Sequence, residues 1–324
     1  MDTPSDPSAH AAAPGHAVAA PTAAFKRKLR PVLMLVALLF VSYTAWQLAI
    51  RWQESPNVNL NLWFLSLSLL PLVLATFLQG RAWLFVIERL AGHRVPRGKA
   101  LALYFDSQLA RYAGKLGLPV VRMAGASAIE TTGPLVGASI ALEMLSWLAV
   151  GGAVGFGLSW GAGTLERLSV LHTWGTPLAF GCSLVLLLAL LLLPAQRYPK
   201  AAQRLLNGDP RLALIAPQAP VYQFLYWLSW AGHGALLARA LGADVNIAIQ
   251  ASGLFPLATV AGFIVLVTPG GLGMREAVLA LGLTPTLGAS AALVLSILSR
   301  ASSLLAEVLV WGAARLMLRR GPEA

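Results

Sequence analysis

The stretch Val265-Leu266-Val267-Thr268-Pro269-Gly270-Gly271-Leu272-Gly273-Met274-Arg275-Glu276 decides how this chain is read. It lies inside an apolar run, 247–283, that is long enough to cross a bilayer. No continuous helix survives a Pro-Gly-Gly-x-Gly turn, and Pro256 cuts the same run a second time. A break at hydrocarbon depth leaves N–H and C=O groups without partners. It is tolerated only where protein or a wet cavity covers them. The run therefore reads as a re-entrant hairpin, two half-helices joined by the glycine turn, with full spanning by 247–267 as the alternative.

Working outward, a second stretch behaves the same way. Residues 100–132 are moderately apolar but carry Asp106, Arg111, Lys115, Arg122 and Glu130, and are interrupted by Gly114, Gly117 and Pro119. The other apolar runs are uninterrupted: 31–50, 62–87, 134–160, 176–193, 220–240 and 287–314. Each is about as long as a helix needs to cross ~30 Å of hydrocarbon. The expected fold is thus an all-α polytopic membrane protein with about six transmembrane helices plus two re-entrant hairpins.

Composition agrees. The chain is 57 % hydrophobic and 11 % charged, where soluble domains run near a quarter charged. So few charges could not cover a water-facing surface of this size. The net charge of +11 could suggest nucleic acid, but most basic residues lie in short stretches beside apolar runs, which is a topology signal first. Basic clusters fall at 26–30, 89–99, 197–211 and 315–320, whereas the opposite loops hold Arg51, Arg167 and Arg239. This bias places both termini in the cytoplasm when both odd stretches are hairpins. Residues 1–30 read as a disordered cytoplasmic tail with a basic flank and 317–324 as a second tail. Cys182, in an apolar run, cannot form an intrachain disulfide, and thiolate metal sites are excluded.

An internal repeat joins the halves. Pro134-Leu-Val-Gly-Ala-Ser-Ile-Ala-Leu142 and Pro285-Thr-Leu-Gly-Ala-Ser-Ala-Ala-Leu293 match at six of nine positions, 151 residues apart. The same offset lays each hairpin on the other. It divides the membrane part into repeat 1 (31–160, hairpin about 100–132) and repeat 2 (161–316, hairpin about 247–283). Three spans per half invert the second, a recurring transporter plan.

The stretch 268–276 resembles the Pro-Gly-Gly-x-Gly-x-Arg-Glu signature of the flippase-like family named after the transmembrane region of lysylphosphatidylglycerol synthase. Arg111-Tyr112-Ala113-Gly114-Lys115-Leu116-Gly117, Arg122, Ala138-Ser139 and Glu143 agree with it, although Ala113 stands where the family usually has Pro. The resemblance covers about 31–316. It implies movement of a lipid or lipid-linked head group between leaflets. Bifunctional members carry a soluble aminoacyl-transferase domain after the membrane part. With its end at Ala324, this chain is expected to be a stand-alone member without that domain.

Charged side chains at membrane depth are the functional candidates. Arg275 and Glu276 open a half-helix after Gly270, Gly271 and Gly273, whose backbone N–H groups can approach a ligand. A helix N-terminus with an arginine suits a phosphate; an internal salt bridge is the competing reading. Arg111 and Lys115 share a helix face and with Arg122 would line a basic head-group path, or sit at the cytoplasmic surface. Asp106, Glu143, Arg300 and Glu307 suit charge pairing or proton coupling, and Arg300 and Glu307 can share one face. Gly151 and Gly155 suit close helix packing. No nucleophile elbow, P-loop or zinc motif is present, so neither an enzyme nor a cofactor is expected. The expected partners are membrane lipids, phospholipid or polyprenyl-phosphate-linked, and lipid-biosynthesis enzymes. The alternatives are a lipid head-group transferase and a non-transporting scaffold. The Ala- and Arg-rich composition points to a bacterium and hence to its inner membrane.

Overall fold

A computed structural model describes residues 60–113, 116–165, 218–264 and 274–320, with the single positions 42, 46 and 50. The expected spans at 31–50 and 176–193, the tails, Cys182, Lys115 and the glycine turn with Gly270, Gly271 and Gly273 lie outside the described residues or nearly so.

The described residues form eight α-helices and no strand: α1 (Leu62–Ala91), α2 (Arg97–Ala110), α3 (Gly117–Ala124), α4 (Gly133–Gly161), α5 (Gln218–Ala240), α6 (Val245–Ile264), α7 (Met274–Leu287) and α8 (Ala289–Arg320). Four of them, α1, α4, α6 and α8, are long and apolar enough to cross a membrane. Helix α5 has the length but carries Gln223, Ser229, His233 and Arg239, and is not among those four. Its outward side is nonetheless apolar, with Val221, Phe224, Leu225 and Leu228 exposed. Helices α1 and α8 also expose leucines, valine and phenylalanine, the pattern expected where lipid is the solvent.

Local chemistry sets the helix ends. The Asn61 side chain accepts from the Trp63 and Phe64 amides at 3.0 and 3.3 Å, capping α1. The Asn61 amide donates to the Ala240 carbonyl at 2.7 Å, tying the start of α1 to the end of α5.

The stretch 100–132 is two short helices doubling back on each other. Helices α2 and α3 have 14 and 8 residues, or ~21 and ~12 Å, too short to cross the hydrocarbon. They pack together, and the turn needs glycine: a Cβ on Gly117 would lie 2.0 Å from the Ala110 carbonyl oxygen.

The second odd stretch departs from expectation. Helix α6 runs unbroken through Pro256 for 20 residues, ~30 Å of rise, so its first arm is no half-helix. Packing overrides the proline's propensity. A Cβ on Gly155 of α4 would lie 2.7 Å from the Leu257 amide and 3.0 Å from the Pro256 Cβ, so the two backbones touch there. Gly151 similarly seats the Trp227 ring, 2.3 Å from a built Cβ. Both glycines therefore serve close packing, as their spacing suggests. Helix α7 is short, 14 residues, and follows 265–273.

Packing runs from α1 onto α5, and from each of these onto α4 and α8. Helix α6 packs on α4, α5 and α7, and α2 packs on α1, α3 and α8. Helices α3 and α7 lie against α4 and α8 respectively. One apolar core surrounds Trp227, Leu254 and Phe255; another surrounds Trp83, Tyr104 and Ile129.

Candidate functional site

The short helices α3 and α7 each carry a buried arginine. Arg122 on α3 is fully buried and donates from Nη1 to Glu143 Oε2 on α4 at 2.6 Å. Its Nε donates to Ser107 Oγ at 2.9 Å. The guanidinium lies over the rings of Tyr104 and Trp83, 4.4 and 4.9 Å from their centroids. The other Glu143 oxygen accepts from Tyr104 Oη at 3.1 Å and Gln79 Nε2 at 3.2 Å. Both charges are thus paired, the condition for keeping them out of water, although Arg122 Nη2 is buried without a hydrogen-bond partner.

Arg275 on α7 is treated differently. Only 7 % of it is exposed. Its Nη2 donates to Ser299 Oγ on α8 at 2.5 Å, and the guanidinium lies 5.2 Å from the Trp230 ring centroid. Its Nε is buried with no hydrogen-bond partner, and among the described residues no acid stands within ion-pair distance of it. The neighbouring glutamate is engaged elsewhere: Glu276 Oε1 accepts from Arg300 Nε at 2.5 Å.

His233 holds Ser299 in place. Its Nδ1 lies 3.0 Å from the Ser68 carbonyl and its Nε2 lies 3.2 Å from Ser299 Oγ. A carbonyl only accepts, so Nδ1 carries the hydrogen of the neutral ring and Nε2 accepts from the Ser299 hydroxyl. The Ser299 oxygen then keeps its lone pairs for Arg275. Helices α5 and α8 thus meet on the guanidinium of α7, and α1 supports it at one remove through His233.

The remaining candidates pair across α2 and α8. Arg111 pairs with Glu307 and donates to Gln108 Oε1 at 3.1 Å, with Tyr112 under its guanidinium. Asp106 pairs with Arg315 and accepts from Trp311 Nε1 at 2.8 Å. One oxygen of Glu307 is buried without a partner.

The structure brings Arg122 to Glu143, Arg111 to Glu307 and Glu276 to Arg300. Arg111 and Arg122 have separate acids on separate helices, α8 and α4. Arg300 and Glu307 are each taken by a different element, α7 and the end of α2. Sequence reasoning missed Trp83, Tyr104, Gln79, Trp230, His233 and Ser299. A histidine and a glutamine inside apolar runs were the signal available for two of them, His233 and Gln79.

Neither family models nor curated proteins give a match to this chain. The likeness to the flippase-like family rests on the motif residues themselves.

Proposed function

We propose that this chain is a translocase of the bacterial inner membrane, of the flippase-like family, moving an anionic lipid or lipid-linked head group between leaflets. The observation that carries this reading is Arg275. A guanidinium out of water, with no acid among the described residues at ion-pair distance and Glu276 paired to Arg300, is costly to keep. The cost is reasonable where a ligand supplies the anion, and Arg275 stands in the first turn of a helix, where backbone N–H groups favour one. Such a site would be reached by head groups while acyl chains stay in lipid.

Helix packing supports the internal repeat. Exchange α1 with α5, α2 with α6, α3 with α7 and α4 with α8. The α4–α6 contact becomes α8–α2, α6–α7 becomes α2–α3, α7–α8 becomes α3–α4, and α4–α5 becomes α8–α1; every substantial helix contact finds its counterpart. Two structurally related halves with an odd number of spans each would be inverted, and rocking one against the other would alternate access. In this reading α5 is a span, α2 with α3 and α6 with α7 form the two re-entrant hairpins, α6 being an arm longer than a half-helix, and both termini are cytoplasmic. Membrane lipids are the partners.

The test is head-group movement of a fluorescent anionic phospholipid in proteoliposomes, read by quenching from outside. Movement that Arg275→Ala loses supports translocation at this site. Folded protein that moves neither anionic phospholipid nor polyprenyl phosphate would transfer the assignment to a head-group transferase or a scaffold of an envelope-lipid synthesis complex.

A further inference from the structure

Two glutamates are buried among the described residues, Glu143 and Glu307. Each is paired with an arginine, but the pairs are built differently. Both oxygens of Glu143 accept hydrogen bonds, from Arg122, Tyr104 and Gln79, and no part of the Arg122 side chain is exposed. That pair is closed to its surroundings. Glu307 accepts from Arg111 through Oε1, while its Oε2 is buried with no hydrogen-bond partner. The Glu307 side chain is 9 % exposed and that of Arg111 is 42 % exposed. Here the cation is open and the acid enclosed.

An incoming anion therefore meets Arg111 before it meets Glu307. The guanidinium fork matches a phosphoryl group as well as it matches a carboxylate. Once a phosphoryl group holds Arg111, Glu307 has lost its cation. A carboxylate kept out of water with no counter-charge is costly and neutralises by taking a proton. The unpartnered Oε2 has the lone pairs to receive it.

The surroundings leave that change to Glu307. Arg111 and Tyr112 act on it electrostatically, with Tyr226 of α5 beside them. Arg275 of α7 is within electrostatic reach of both tyrosines. On α8, Arg300 holds Glu276 of α7, and Arg315 holds Asp106 of α2. On α1, Glu88 pairs with Arg97 and Arg81 lies over Phe85. Arginines stay charged and tyrosines neutral near neutral pH, and the other acids keep their own cations. Glu307 is the group of this set whose charge can follow a ligand on Arg111.

We propose that Arg111 and Glu307 form an anion–proton exchange site: the phosphoryl group of an anionic lipid displaces Glu307 from Arg111, and Glu307 takes one proton from the medium. One O–H bond forms, on Glu307, and it breaks again when the lipid leaves and the ion pair closes. The net charge of the site is the same in both states, because the phosphoryl anion replaces the carboxylate. This deepens the translocase reading and rests on it: each head group that enters carries a proton with it.

The test uses full-length protein in detergent, fluorescent phosphatidylglycerol as the probe and a pH-indicator dye in weak buffer. Wild-type protein should take up about one proton per lipid bound. Its affinity should rise about tenfold per pH unit of acidification, over the range in which the free acid is ionised and the bound one protonated. Glu307→Gln has the neutral form from the start. Its affinity should not depend on pH, no proton should be taken up, and at alkaline pH it should bind more than about tenfold more tightly than wild type. Arg111→Gln should lose more than about tenfold in affinity, and the proton uptake with it. Lipid binding by the wild type without proton uptake overturns the exchange, whether or not the variants fold. A Glu307→Gln protein that keeps the wild-type pH slope overturns it as well. Inorganic phosphate at millimolar concentration should not displace the lipid; displacement would assign the exchange to free phosphate and overturn the lipid assignment. Arg275→Ala separates the two levels. If it abolishes lipid binding while the wild type binds without proton uptake, only the exchange fails. If the wild type binds no anionic lipid at any pH, the translocase reading fails with it.

Discussion

Arg122 Nη1 and Glu143 Oε2 stand 2.6 Å apart with both side chains out of water, joining α3 to α4. Breaking such a pair leaves a buried charge uncompensated, at a cost of about 3–5 kcal/mol. Arg122→Ala and Glu143→Ala should each lower stability by that order, read from unfolding in detergent. Arg122→Met combined with Glu143→Leu should recover much of it, because no charge is left behind. A double variant as unstable as the sum of the singles would show that the pair is not the unit of stability.

Glu276 and Arg300 form a second pair, between α7 and α8, partly open to the surroundings. A double-mutant cycle with Glu276→Gln and Arg300→Gln should give a coupling energy of about 0.5–3 kcal/mol. Restoration of stability by the charge swap Glu276→Arg with Arg300→Glu would locate that coupling in the contact itself. Additive single effects would locate it elsewhere.

Gly117 allows the turn between α2 and α3. With a Cβ 2.0 Å from the Ala110 oxygen, Gly117→Ala must push the backbone apart, because neither atom is the end of a flexible chain. Destabilisation of about 1–3 kcal/mol or more is expected. Gly157→Ala, where a Cβ meets nothing within 4 Å, should be close to neutral and serves as the control in the same unfolding measurement.

Helices were the legible part of this fold. Uninterrupted apolar runs at 62–87, 134–160 and 287–314 reappear as α1, α4 and α8 with ends shifted by a few residues, because burial in lipid or protein needs little more than length and apolarity. Pro256 misled for a physical reason. A proline removes one helix hydrogen bond, but here the chain passes Gly155 at backbone contact distance, and α6 continues as a helix through it. The charged candidates were legible as residue types, since a charge within an apolar run needs a partner. Their partners were not. Glu307 can share a face of α8 with Arg300, yet it pairs with Arg111, which is 196 residues distant in sequence. Only the packing of α2 on α8 decides that. Trp230, Ser299 and His233 became part of the site for the same reason: the first and last lie together on α5 and Ser299 on α8, and only the packing of those helices gathers them around Arg275.

His233 tests that last arrangement. It donates to the Ser68 carbonyl and accepts from Ser299, so it connects α1, α5 and α8 through two hydrogen bonds. His233→Ala leaves a buried carbonyl and a buried hydroxyl without partners, at about 1–3 kcal/mol for each group. Ser299 also becomes free to turn its hydrogen toward Arg275, which places donor against donor and releases the guanidinium. Two measurements then separate structure from positioning. Unfolding in detergent should show the stability loss. Head-group movement, measured at a temperature where the variant is fully folded, should also fall, and His233→Gln, which retains a donor and an acceptor, should recover part of it. A variant that is less stable but moves lipid at the wild-type rate when folded would make His233 a packing residue alone.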